Sequence, residues 1–111
     1  MNDINLMNKA ADNIRILAAS MVEKAKSGHP GGAMGGADFV NVLFSEFLVY
    51  DPKNPTWEGR DRYFQDPGHM SPMLYSVLAL TGKFTIDELK EFRQWGSVTP
   101  GHPEVNVMRG I

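Results

Sequence analysis

The stretch Ser27 to Gly36 reads S-G-H-P-G-G-A-M-G-G, and the rest of the chain is organised around it. Glycine surrenders the most backbone entropy inside a helix and proline removes a donor, so this run predicts a loop. Such a loop lets backbone come close to a neighbour while holding the His29 imidazole in a fixed direction. A plainer reading is that its glycines only let two helices turn and pack.

Working outward, Ile14, Leu17, Met21 and Ala25 recur at helical spacing, widened by Ala10, Ala11, Ala18 and Val22, and predict an amphipathic helix over about Asp3 to Lys26. Lys24 and Lys26 suit the negative end of its dipole, and Gly28 is placed to cap it. Beyond the glycines, Phe39, Val40, Leu43, Phe44, Phe47 and Leu48 predict a deeply buried helix from Gly36 to Val49. The amides that precede it suit an anion, although a tight turn accounts for them equally well.

Asp51 to Arg62, D-P-K-N-P-T-W-E-G-R-D-R, is loop chemistry, with Arg60, Asp61 and Arg62 as a candidate salt-bridged corner. Arg62 to Gln65 alternates and reads as a short strand, which Asp66-Pro67-Gly68 ends. His69 then falls just past a strand end, where α/β proteins bind ligands. Ser71 to Thr81 reads as a third helix stopped by Gly82. Thr85 and Glu88 form a capping box for a fourth helix reaching about Trp95, with Leu89 and Phe92 facing inward. Ser97 to Glu104, S-V-T-P-G-H-P-E, is a rigid loop. The pattern is α/β and helix-rich, with about four helices and one short strand.

The 111 residues, 42% hydrophobic and 22% charged, make one small globular domain. A formal charge of -2 without any Lys/Arg cluster speaks against nucleic acid or an anionic membrane as partner. The absence of cysteine excludes disulfides and thiolate metal sites, and fits a cytoplasmic enzyme. Met1 to Lys9 has no signal-peptide apolar region, and no apolar run approaches the roughly 20 residues that span a bilayer.

Each of the 3 histidines follows a glycine and falls at a helix boundary: His29, His69 and His102. Imidazole exchanges protons near neutral pH and donates hydrogen bonds to developing alkoxides, and a neighbouring glycine removes bulk beside it. Taken singly, a loop histidine is more often inert. A zinc site of three imidazoles is the other alternative, disfavoured because no pair has i, i+2 or i, i+4 spacing. Nucleophilic catalysis lacks both a cysteine and a serine elbow.

Lys24 to Asp38, K-A-K-S-G-H-P-G-G-A-M-G-G-A-D, closely resembles the N-terminal signature of transketolases, commonly K-A-x-S-G-H-P-G-x-x-x-G-x-A. N-P-T-W-E-G-R-D-R-Y at Asn54 to Tyr63 and F-R-Q-W-G-S-V-T-P-G-H-P-E at Phe92 to Glu104 agree with that family in order and spacing. The resemblance implies residues 1–111 of a thiamin diphosphate-binding domain, from an enzyme that moves a two-carbon ketol unit from a ketose phosphate to an aldose phosphate. It implies catalytic roles for His29, at the reacting substrate oxygens, and for His102, at the donor's C1 hydroxyl. His69 would bind the cofactor near its diphosphate.

One departure is D-P-G-H-M at Asp66 to Met70, where the family usually reads S-N-G-H-G or S-K-G-H. The family's G-D-G metal motif, its aminopyrimidine glutamate and its glycine-rich diphosphate segment do not occur here. Thiamin diphosphate and Mg2+ (or Ca2+) would therefore require residues beyond Ile111, no metal ligand is assigned within the chain, and the sheet is expected to be incomplete. Implied partners are sugar phosphates, the remainder of a transketolase chain or a complementing subunit, and a second copy in a homodimer or self-associated form. A related enzyme such as a dihydroxyacetone synthase and a non-catalytic helical interaction module are the rival readings.

Overall fold

The computed structural model describes residues 2–111. The first helix, α1, runs Ile4–Ala25, and its N-cap Asp3 accepts hydrogen bonds from the backbone of Asn5 and Leu6. Its Ala11, Ile14, Ala18 and Met21 are buried, as the spacing requires, with Leu17 and Ala25 at the edge of the core. The capping expectation needs correction: Lys26, not Gly28, turns the chain, at φ 53°. Gly28, at φ 120°, makes a second bend where a Cβ would come within 3.2 Å of Phe92 and 3.3 Å of Val22.

The expected loop holds for Ser27 to Pro30 but not for the glycines that follow. Gly31–Gly35 form a helical turn, α2, and after a hinge at Gly36 the chain continues as α3, Ala37–Val42, and a π-helical turn over Leu43–Phe47. Tertiary packing overrides the local entropy cost, about 0.5–1 kcal/mol per glycine. A Cβ on Gly36 would sit 2.6 Å from Met73 Sδ, and one on Gly32 would sit 2.8 Å from Met70 Cγ, so bare backbone lies where side chains have no room. Ala33, Ala37 and Val40 are fully buried behind it, yet Phe39 and Phe47 are 67% and 70% exposed. The segment is therefore one-sided, not deeply buried.

Residues 48 to 67 form an irregular excursion. The expected strand at Arg62 to Gln65 alternates in exposure as predicted, with Tyr63 edge-on to Phe44 and Phe64 outward, but no strand occurs among the described residues for it to pair with. Just before it, Asp61 pairs with Val49: the Asp61 carboxylate accepts from the Val49 N–H at 2.8 Å, and the Asp61 N–H donates to the Val49 carbonyl at 2.7 Å. That engagement also removes the salt-bridged corner. Arg60 instead donates to the Trp57 carbonyl, and Arg62 to the Arg60 carbonyl at 3.1 Å.

Helix α4, Ser71–Leu80, is the centre of the molecule, with every residue from Ser71 to Leu78 buried and α1, α2 and α3 packed around it. The capping box of Thr85 and Glu88 opens α5, Ile86–Lys90. This helix stops short of Trp95. Arg93 adopts a left-handed backbone, φ 62°, and its N–H reaches the Thr99 carbonyl at 3.0 Å, so the chain folds back. Leu89 and Phe92 are buried as expected. A 3₁₀ turn at Val107–Arg109 straps the C-terminal residues onto α5 through an Arg109–Glu88 ion pair of 2.7 Å.

Candidate active site

His29 lies between α1 and α2, His69 in the 3₁₀ turn Gly68–Met70 that leads into α4, and His102 in the loop after α5. Packing of α1 and α2 against α4 brings the first two together. Their rings meet edge to face, with centroids 5.3 Å apart and planes at 82°. His102 joins them through Gly68, where a Cβ would lie 3.0 Å from its Nδ1 and 3.2 Å from its Cγ. A side chain on Gly68 would press the imidazole aside by a few tenths of an ångström, so the close approach favours glycine here. The three imidazoles thus share one exposed patch at the head of α4. Because no strand precedes it, His69 stands at a helix start and not past a strand end.

The loop carrying His102 is held from beneath. Ser71 Oγ donates to the Gly101 carbonyl and Tyr75 Oη to the Pro100 carbonyl, both at 2.6 Å, from adjacent turns of α4. Thr99, fully buried, donates to the Glu88 carbonyl at 3.1 Å. Burial, and secondarily the charge of Glu104, push the Tyr75 hydroxyl far above its usual range, so it remains a donor throughout ordinary pH. Sequence reading missed Ser71 and Tyr75, whose only signal is their i, i+4 spacing on a mostly apolar helix.

The departure at Asp66 to Met70 finds a place in the packing. The Pro67 carbonyl accepts the Met70 N–H at 3.0 Å, and the Met70 side chain fills the space that Gly32 leaves open. A hollow of about 830 Å³ lies on the other side of the loop, lined by Ser27, Tyr75, Arg93, Ser97 and Glu104, and no histidine borders it. The proton-exchanging groups converge elsewhere, on the patch. Among the described residues no group of three His, Cys, Asp or Glu side chains could hold a metal ion. No helix among them is long and apolar enough to cross a membrane.

Residues 6–111 match the family model described as the transketolase, thiamine diphosphate binding domain. The chain belongs to that transketolase family. A transketolase of Buchnera aphidicola is 52% identical over 107 residues, which is 96% of this chain and 16% of that one. Transketolase 1 of Escherichia coli is 51% identical over 102 residues, 91% of this chain and 15% of its own length. The crystal structure of the Campylobacter jejuni transketolase superposes with a TM-score of 0.90 at 46% identity, covering 99% of this chain and 17% of that chain. The chain therefore spans about one-sixth of the length of the transketolases it matches. Its helix-rich form, without a strand among the described residues, is the form of the matching region of transketolases.

Proposed function

We propose that residues 1–111 form the N-terminal part of the cofactor domain of a transketolase, which transfers a two-carbon ketol unit from a ketose phosphate to an aldose phosphate. The observation that carries this reading is the convergence of His29, His69 and His102 on one patch. The transketolase of Pichia stipitis, solved in complex with sedoheptulose-7-phosphate, is 43% identical with a TM-score of 0.88, which supports a sugar phosphate as substrate.

Thiamine diphosphate, when bound, supplies a carbon nucleophile able to open the carbon–carbon bond beside a ketose carbonyl. The residues of this chain fit the work around it: exposed imidazoles that donate to oxygens and exchange protons, held on a rigid helix head. In this reading His29 donates to the reacting substrate oxygens, His102 holds the donor's C1 hydroxyl, and His69 lies against the cofactor's diphosphate. The grip on magnesium or calcium comes from other residues of a transketolase-length chain or a complementing subunit, and this segment alone does not turn over. A cytoplasmic location and a homodimer belong to the same proposal, the latter supported by exposed Phe39, Phe47, Phe64 and Trp95.

The test is a chimera in which these residues replace the matching segment of the Escherichia coli relative. It should transfer ketol units, and His29→Ala, His69→Ala and His102→Ala should each lower kcat/KM by about 10²–10⁴-fold. Unchanged kcat/KM in all three folded variants would overturn the reading.

A further inference from the structure

Arg93 reaches two of the three histidine loops at once. Its Nη1 donates to Ser27 Oγ at 2.8 Å, beside the loop of His29. Its backbone N–H donates to the Thr99 carbonyl at 3.0 Å, at the start of the loop of His102. The guanidinium lies 5.6 Å from the centre of the Phe92 ring, and its Nε is buried without a partner. That Nε fits between two glycines: a Cβ on Gly101 would come within 2.9 Å of it, and a Cβ on Gly28 within 3.6 Å.

We propose that Arg93 is a positioning residue that clamps the loops of His29 and His102 at a fixed separation. This deepens the function proposed above and rests on it for its purpose, but not for its geometry. Gly28 and Gly101 are the residues immediately before His29 and His102, so the pairing of glycine with histidine at these two sites has a packing cause. Each glycine leaves room for one side of the guanidinium. Arginine suits the task because its planar fork stays charged at every pH where an imidazole titrates, so the clamp does not loosen as the histidines change state. The left-handed backbone at Arg93, unusual for a residue with a Cβ, turns the side chain back toward α1.

The test is the imidazole and guanidinium NMR spectrum of the isotope-labelled protein. The Arg93 Nε–H should exchange more slowly than that of exposed Arg62. Ser27→Ala, which removes the guanidinium's one side-chain partner at an exposed position, should move the His29 and His102 ring resonances. Arg93→Met should move them further, and Arg93→Lys should restore part of the shift. Arg62→Met should leave them in place. A folded Ser27→Ala protein with unmoved His29 and His102 resonances, whatever its melting temperature, overturns the proposal, even if Arg93→Met does not fold. Because no turnover is measured, that result would leave the ketol-transfer reading standing, and an inactive chimera would leave the clamp standing.

Discussion

Tyr75→Phe removes one oxygen from the centre of the molecule and should free the loop that carries His102. The ring is completely buried, and its neighbours Phe84 and Phe92, with centroids 5.4 Å and 6.2 Å away, would pack against phenylalanine as they do against tyrosine. The change therefore isolates the 2.6 Å hydrogen bond to the Pro100 carbonyl. Losing it and leaving that carbonyl without its partner costs about 1–3 kcal/mol. For a chain of this size this lowers the melting temperature by about 4 °C per kcal/mol, or about 4–12 °C in all. Thermal unfolding followed by circular dichroism gives the midpoint, and the His102 ring resonance reports the loop. A midpoint within about 2 °C of the parent, with an unmoved His102 resonance, would refute the idea that Tyr75 anchors the loop.

Three further outcomes follow from the same geometry. The Thr85 backbone N–H, and after it the charge of Arg109, hold the Glu88 carboxyl below its usual range. Its stabilisation is therefore present above the unfolded value near 4.3 and lost as pH falls through the lower folded value, so Glu88→Gln should flatten the acid limb of stability measured by urea unfolding; equal acid sensitivity of both proteins would contradict this. Thr85→Ala, which breaks the other half of the capping box, should cost about 0.5–2 kcal/mol in the same assay, and no change would show α5 to be held by packing alone. Thiamine diphosphate with magnesium should leave the melting temperature of the 111-residue chain unmoved. A ligand bound at a hundred times its Kd would add about 2.7 kcal/mol, so a magnesium-dependent rise would mean that these residues grip the diphosphate themselves.

Periodicity made α1 and the capping box of α5 legible, because both depend on neighbours within a few residues. The helical turn of Gly31 to Gly35 was not legible for the opposite reason. Gly32 sits in the helical turn and Gly36 at the hinge after it, where Met70 and Met73, almost forty residues away, press against them, and nothing local encodes that approach. Arg62 to Gln65 shows the same limit: its alternation orients Tyr63 correctly, yet alternation does not supply a partner strand. At the site, the shared setting of the three histidines was visible, and the structure joins them. Ser71, Tyr75 and Arg93 were not visible, since a hydrogen bond across 25 to 66 residues leaves no mark on spacing.

The central claim is that the imidazoles serve one site and not three. Energetic coupling between His29 and His102 in the transketolase chimera measures this directly. If both act on the same reacting group, the double alanine variant should lose far less in kcat/KM than the product of the two single losses, with a coupling of about 0.5–3 kcal/mol. Losses that multiply as independent factors would contradict it.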